Sequence, residues 1–187
     1  LTQSRDVCGD PPYGDPLIIK MLGRDTAEDR AISLSSQKNG ILFNILGTDQ
    51  AVPNTPSRIS WFKKEAQARK FRFLVKPKQG QVLGIDEMFG DRTLGPDGKY
   101  AADGYAALAK YDLNGDQIIN SMDPVFRELA VYADLNLDGI IAIDLDYDSS
   151  FREVDRHGNI TELRSVVTFL ENGVEVLRPI FDLLFVL

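Results

Sequence analysis

The chain has 187 residues, of which 43% are apolar and 26% charged, an ordinary globular composition that is enough for one sizeable core and at most two small domains. The formal net charge of −7 argues against a general nucleic-acid binder, and the single cysteine excludes an intrachain disulfide and a cysteine-rich zinc site. No apolar run reaches the roughly 18 residues of a membrane-spanning helix, so we expect no membrane span.

The predicted elements begin with an irregular lead-in over residues 1–14, which are rich in glycine, proline and aspartate. Short apolar runs bounded by turn residues predict four strands, at residues 17–22, 41–46, 58–62 and 71–76. Apolar side chains at helical spacing then predict two helices, at residues 103–111 and 122–133. The rest of the chain predicts strands, at residues 141–145, 152–155, 160–170 and 174–177, with a hairpin turn at Asn172–Gly173.

Charge is concentrated in two neighbouring segments. Residues 61–80 hold seven basic side chains and one acid, whereas residues 81–158 hold sixteen acids and six basic side chains. Aromatic residues lie between the cations of the first segment, as in a surface that binds polyanions such as sulfated glycans or acidic lipids. The alternation of residues 71–75 favours instead a strand with a solvated outer face. Both interpretations stay open on the sequence.

An internal repeat lies within the acidic segment. Its first copy, residues 112–123, has oxygen-bearing side chains at positions 1, 3 and 5, a backbone carbonyl at position 7 and a carboxylate at position 12, which is the pattern of a Ca²⁺-binding loop. The predicted ligands are Asp112, Asn114, Asp116, the carbonyl of Ile118, and Asp123. Gln117 stands at position 6, where a positive φ makes glycine the usual residue, and Ile119 is expected to anchor this loop to a partner loop.

The second copy of the repeat begins 22 residues later and is less complete. Its predicted ligands are Asp134, Asn136, Asp138, the carbonyl of Ile140, and Asp144. Position 12 is occupied by Leu145, so Asp144 or its neighbour Asp146 has to close the site through a bent backbone. Weak binding is the alternative, since the residues that follow have the pattern of a strand.

Several stretches of the sequence resemble the self-processing module of iron-regulated RTX proteins and related haemolysin-type calcium-binding regions. These stretches are residues 14–17 (GDPL), 86–93 (DEMFGDRT), 96–98 (PDG), 104–109 (GYAALA), 112–123 and 134–139. The resemblance implies a secreted module that folds around calcium. It also implies that calcium triggers cleavage of the Asp15–Pro16 bond, with Asp15 as the nucleophile that closes a cyclic anhydride and Pro16 as the departing amine. Water, or a lysine amine that forms an isopeptide bond, then opens the anhydride.

The resemblance further implies acidic loops at places where this chain carries cations, such as Lys76 and Lys78. A charged lysine cannot coordinate calcium. We therefore hypothesise that these lysines supply the positive charge internally and pair with Asp25, Asp49 or Asp86.

Together these patterns predict an α+β fold, in which a β-rich framework surrounds a central paired EF-hand-like or dockerin-like helical calcium motif. We expect a linker at residues 1–14 and one domain at residues 15–187, with the paired motif at 103–146 and β-hairpins at 147–187. Because residue 1 is leucine and no basic-then-apolar leader opens the chain, we expect a processed product or a fragment.

The function expected first is a calcium-binding, calcium-stabilised structural or interaction module of an extracellular protein. One alternative is a calcium-triggered autoprocessing module that cuts Asp15–Pro16. The other is an adhesive or matrix module that binds polyanions through residues 61–80. The expected partners are accordingly calcium and an extracellular polyanion or another protein.

Overall fold

The computed structural model describes residues 14–23, 32–45, 56–132, 134 and 136–186. The expected lead-in, apart from Gly14, lies outside the described residues, as do Cys8, Asp25 and Asp49. The structure contains all four strands predicted before residue 80, with shifted ends. It also contains the predicted helix at 103–111 and the predicted late strands, again with shifted ends.

The described residues form ten strands. These are β1 (Leu17–Lys20), β2 (Ile41–Phe43), β3 (Ser57–Ile59), β4 (Phe71–Val75), β5 (Ile118–Asn120), β6 (Ala130–Val131), β7 (Ile140–Asp144), β8 (Asp148–Val154), β9 (Ile160–Glu171) and β10 (Val174–Leu184). Eight of them form an antiparallel sheet in the order β5-β7-β9-β10-β1-β4-β6, with β8 paired to the other half of β9. Strands β2 and β3 form a separate antiparallel pair. Register shifts in the β7, β8 and β10 pairings interrupt the ladder, and such bulges bend a sheet.

Strand β1 is the centre of the fold and is buried on both faces. Leu17 and Ile19 pack into the core on one face of the sheet, whereas Ile18 packs into the core on the other face. All three side chains are fully buried, and each such burial stabilises the fold by about 1.5–3 kcal/mol. This explains why the run has no polar residue until Lys20.

The long β9–β10 hairpin is closed by the predicted Asn-Gly turn. Asn172 and Gly173 both have positive φ, 51° and 78°, and Val174 pairs directly with Glu171. A two-residue turn with two positive φ angles matches the twist of the flanking strands, which fixes the register of the hairpin. Strand β10 extends to Leu184, seven residues beyond the predicted end, because its second half pairs with β1.

Two short α-helices lie among the described residues, α1 (Glu65–Lys70) and α2 (Gly104–Ala109). Asp103 is the N-cap residue of α2, and its carboxylate accepts a hydrogen bond from the backbone N–H of Ala106 at 2.8 Å. Helix α1 was not predicted from the sequence. In the described part of the chain no helix is long and apolar enough to cross a membrane.

The predicted paired helical calcium motif is wrong. Residues 122–133, expected as a helix, form one short 3-10 helix, Pro124–Glu128, followed by strand β6. The second repeat is followed by strand β7. The reason is tertiary pairing: Val131 pairs with Leu74, and the N–H of Tyr132 donates to the carbonyl of Phe73 at 2.9 Å. Addition to the sheet overrides a helical periodicity that spans only three turns.

Candidate functional site

The Asp15–Pro16 bond lies where the described chain enters the sheet, and β10 holds it from one side. The backbone N–H of Phe185 donates to the carbonyl of Gly14, and that of Leu183 donates to the carbonyl of Pro16, each at 3.1 Å. These two bonds bracket Asp15. The carbonyl of Asp15 is therefore left to face the other neighbour of this segment, the turn at Gly90.

Gly90 packs against both the side-chain carboxyl and the backbone carbonyl of Asp15. A Cβ atom added to Gly90 would lie 2.6 Å from Oδ1 of the Asp15 carboxyl, 2.8 Å from its carbonyl oxygen and 3.1 Å from its carbonyl carbon. Real Cβ atoms do not approach so closely, so only glycine fits here. The side-chain carboxyl and the backbone carbonyl of Asp15 therefore both lie against the backbone of Gly90.

A hydrogen-bonded turn fixes Gly90 in this position. The N–H of Gly90 donates to Oγ1 of Thr93 at 3.0 Å, the N–H of Thr93 donates to the carbonyl of Gly90 at 3.1 Å, and the Thr93 hydroxyl bonds the carbonyl of Met88. The next N–H, that of Asp91, donates to Oδ1 of Asp15. Residues 86–93 (DEMFGDRT) thus place the N–H donor of Asp91 and the side-chain-free backbone of Gly90 beside Asp15.

Asp15 is only 2% exposed, and this burial governs its protonation. Burial, together with the neighbouring acids Asp182 and Asp91, raises the pKa of Asp15 to about 10, against the opposing effect of the hydrogen bond from the Asp91 backbone N–H. At neutral pH the carboxyl of Asp15 consequently keeps its proton.

Asp182 is the second buried carboxyl of this site. It is paired with Leu17 across β1 and β10, and its Oδ2 accepts a hydrogen bond from the N–H of Gly104 at 3.2 Å. Burial raises its pKa well above the usual range, and the bond from Gly104 acts in the opposite direction. Helix α2 is held against β10 by the Tyr105 hydroxyl, which donates to the carbonyl of Ile180 at 2.8 Å.

Asp15 and Pro16 are predicted site residues, whereas Gly90, Asp91 and Asp182 are not among the residues predicted from the sequence. Gly90 and Asp91 stand inside a stretch that was recognised only as a resemblance. Asp182 carries a clear signal, since it is the one charged residue in the apolar run Pro179–Leu187. A buried acid in such a strand has to serve a partner or a reaction.

The loop of the first repeat, residues 112–123, closes on itself through hydrogen bonds. The carboxylate of Asp112 accepts from the N–H groups of Gly115 and Gln117, each at 2.9 Å. Asn114 and Asp116 accept from the N–H groups two residues on. The buried Asp123 accepts from the N–H of Leu113 at 3.1 Å and of Asn120 at 3.2 Å. Gln117 has φ 65°, the positive angle expected at position 6.

The first loop fits calcium in its donor chemistry. Asn114 and Asp116 are exposed, Asp112 is half-buried, and all three present the oxygen atoms that Ca²⁺ prefers. Asp123 has both oxygens engaged by the loop backbone, which makes it a closing residue of the loop. Among the described residues, no three carboxylate, histidine or cysteine side chains converge closely enough to hold a metal ion.

The second loop fits calcium poorly. Asp134 forms an ion pair with Arg72, so a cation already faces its carboxylate. Asn136 accepts from the N–H of Asp138 at 2.7 Å, and Asp138 has a positive φ of 50°. Asp144 lies in β7, paired with Ile118, and accepts from the N–H of Asp146 at 2.9 Å.

The two repeats meet through β5 and β7, but not at equivalent positions. Ile119 is fully buried and anchors the first loop as expected, but its partner across β5 and β7 is Ile143. The equivalent residue of the second repeat is Ile141. The β-pairing therefore slides the second repeat by two residues and moves Asp144 towards the first loop.

Most cations of the basic segment are engaged in ion pairs with carboxylates. Arg69 pairs with Glu65 at 2.7 Å, Lys76 with Glu128 at 2.8 Å, Lys78 with Asp86 at 2.8 Å, and Arg72 with Asp134. The hypothesis of internal pairing thus holds for Asp86, which pairs with Lys78. Lys76 pairs instead with Glu128. Polyanion binding by residues 61–80 stays a prediction.

Comparison with known proteins gives a family for most of the chain. The profile of the SPM domain matches residues 27–173. A relative, the iron-regulated protein FrpA of Neisseria meningitidis serogroup C, is 57% identical over 54 residues, which is 29% of this chain and 5% of the relative. The match thus covers about a twentieth of that protein's length. These matches are consistent with the expected relation to iron-regulated RTX proteins.

Proposed function

Since this chain belongs to the SPM domain family, we propose that it is an autoprocessing module that cleaves its own Asp15–Pro16 bond. The observation that carries the proposal is the buried Asp15 carboxyl, which lies with its own carbonyl against Gly90. Burial also raises the pKa of this carboxyl. Autoprocessing was the alternative to calcium-dependent stabilisation in the sequence-based expectations. We favour it because the contacts around the Asp15–Pro16 bond are more complete than the ligand set of either repeat.

The proposed reaction needs only the atoms of Asp15 and Pro16. The side-chain oxygen of Asp15 attacks its backbone carbonyl carbon, which closes a five-membered ring. The bond from that carbon to the nitrogen of Pro16 then breaks, and the acid proton of Asp15 passes to this nitrogen. The products are a cyclic anhydride at Asp15 and a chain that begins with the free amine of Pro16. Water opens the anhydride to two carboxyl groups, or a lysine amine opens it to an isopeptide bond.

The fold contributes position and protonation. The bonds from Leu183 and Phe185 hold the segment in one conformation, so attack within Asp15 starts from a restrained geometry. The nitrogen of Pro16 is a tertiary amide nitrogen without an N–H. Once this nitrogen is protonated, Pro16 can depart as an amine. The high pKa of Asp15 keeps the required proton in the site at neutral pH.

Mass spectrometry of the intact 187-residue chain, incubated at neutral pH with and without millimolar calcium, tests this proposal. We expect a product that begins at Pro16 from the native chain and none from Asp15→Ala. Asp123–Pro124 is an internal control, because the Asp123 carboxylate is bonded to Leu113 and Asn120. An uncleaved native chain, or equal cleavage at Asp123–Pro124, would overturn the proposal.

Calcium binding by residues 112–123 is the second candidate function, and the left-handed backbone of Gln117 at position 6 favours it. Asp112, Asn114 and Asp116, with the carbonyl of Ile118, would hold the ion. A bound calcium ion supplies a charge that draws these oxygens together and so stiffens the connection between α2 and β5. A secreted location follows as part of the same proposal, because millimolar calcium is an extracellular condition. Calorimetric titration with calcium tests it, and absence of heat would contradict it.

A further inference from the structure

The site around Asp15 contains a carboxyl that the proposed reaction does not use. Asp182 is 1% exposed, and its Oδ1 has no hydrogen-bond partner among the described residues. An acceptor that is buried without a donor is costly, and native proteins keep few of them. Asp182 also has no cation within ion-pairing distance in the described part of the chain. The burial of Asp182 therefore does not stabilise the fold, which points to a functional role for this carboxyl.

The sheet places Asp182 next to Asp15. Leu17 is paired with Asp182, and the bond from Leu183 to Pro16 continues this register towards Asp15. Side chains two residues apart on a strand share a face, so Asp15, Leu17 and Asp182 point to the same side. Diagonal neighbours on one face of an antiparallel pair are within reach of each other's charge.

We infer that Asp182 is a positioning residue of the proposed self-cleavage, which acts by keeping a second buried carboxyl beside that of Asp15. Two carboxyls in one buried site cannot both ionise at neutral pH, and they titrate as a coupled pair. A proton is thereby retained within the pair, beside the nitrogen of Pro16 that requires one when it departs. The inference rests on the proposed function, because it assigns Asp182 a part in that reaction.

The other groups around this pair are accounted for. Asp91 faces Asp15 from the turn after Gly90, and its own neighbour Arg92 lies at 4.0 Å. The acids that face Asp182 are Asp103, Glu162 and Asp91. Tyr105 and Tyr147 are near Asp182, and the Tyr105 hydroxyl is bonded to the carbonyl of Ile180. Among the described residues, the charged groups that these interactions place nearest to the pair are acids, apart from Arg92, so the surroundings favour retention of a proton.

The pH dependence of the cleavage rate tests the inference, with Asp182→Asn as the main variant. Asparagine keeps the size of the side chain and an oxygen that accepts from the N–H of Gly104, but it removes the ionisable group. We expect the alkaline limb of the rate profile to move to lower pH by about one unit, which is a tenfold loss of rate on that limb. Asp182→Glu is expected to retain the native limb. Asp86→Asn is the matched control, a buried acid outside the pair, and should leave the limb unmoved.

A carbon-detected NMR titration of the Asp15 carboxyl separates this inference from the proposed function. It needs no turnover, and it is run on native chain and Asp182→Asn after melting curves show that both are folded. A lower titration midpoint for Asp15 in the variant supports the inference. An unchanged midpoint, or a rate lowered equally at every pH, overturns it. Absence of cleavage in the native chain overturns the proposed function, whatever the titration shows.

Discussion

Leu17 and Asp182 face each other across β1 and β10, so the last strand of the described chain lies directly against the segment that holds Asp15–Pro16. Segments near the two ends of the described chain are therefore parts of one site. Asp15 comes from one end, Asp182 from the other, and Gly90 from the middle of the chain. Formation of this site requires the whole sheet to be folded, because no two of these residues are near in sequence.

The first prediction concerns the wall formed by Gly90. Gly90→Ala places a Cβ atom 2.6 Å from Oδ1 of Asp15, so the carboxyl or the backbone has to shift. We expect cleavage to fall at least tenfold and the free energy of unfolding to fall by about 1–3 kcal/mol. Gly95→Ala is the control, because its added Cβ would meet chiefly the flexible side chain of Lys110. Equal cleavage by Gly90→Ala and native chain would argue against a reactive geometry at Asp15.

The second prediction concerns stability against pH. The pKa of Asp15 is raised in the folded chain to about 10, so the folded state binds the proton more tightly than the unfolded state does. This contribution to stability is complete below the ordinary pKa of aspartate and is lost as pH rises towards 10. Between these limits one such group gives a slope of at most about 1.4 kcal/mol per pH unit.

Denaturant unfolding at a series of pH values from 5 to 9 measures this slope. We expect Asp15→Asn to flatten it, because asparagine does not titrate. Asp97→Asn is the control, since the pKa of Asp97 is lowered by its hydrogen bond from Lys110 and its contribution lies below this range. An identical slope in Asp15→Asn and native chain would show that Asp15 is not the group responsible.

The strands and the hairpin turn could be predicted because they depend on local signals. Alternating apolar residues at 71–75 and the Asn172–Gly173 turn specify their own conformation. The helix expected at 122–133 was wrong because its fate is decided by Leu74, which is distant in sequence and pairs with Val131. A periodic pattern cannot report such a partner.

The candidate site could be predicted only in part for the same reason. Asp15 and Pro16 stand in a recognisable dipeptide, and the loop at residues 112–123 has its own spacing. Asp182 enters the site through strand pairing, and Asp134 is drawn to Arg72 by the same sheet. Both relationships join residues more than 60 positions apart, which composition and spacing do not reveal.

The third prediction concerns the internal ion pair of Lys78 and Asp86. The side chain of Asp86 is 4% exposed, whereas that of Glu128, the partner of Lys76, is 56% exposed. Lys78→Ala removes a cation from a buried carboxylate, so we expect a loss of about 1–2 kcal/mol of unfolding free energy. Lys76→Ala should cost less than about 1 kcal/mol, as exposed pairs do. Thermal melts in calcium-free buffer compare the two, and an equal or larger loss for Lys76→Ala would contradict the assignment.

The last prediction distinguishes the two repeats by how substitutions in each change the calcium affinity measured by calorimetry. Asp112→Ala and Asp116→Ala each remove an oxygen ligand from the loop at residues 112–123, so we expect calorimetric titration to show at least a tenfold weaker affinity. Asp134→Ala should leave the calcium affinity unchanged, because the Asp134 carboxylate is paired with Arg72. Its effect should appear in the melting temperature, which we expect to fall as Arg72 loses its partner. If Asp134→Ala abolishes calcium binding while Asp112→Ala does not, the order of the two loops is the reverse of the one proposed.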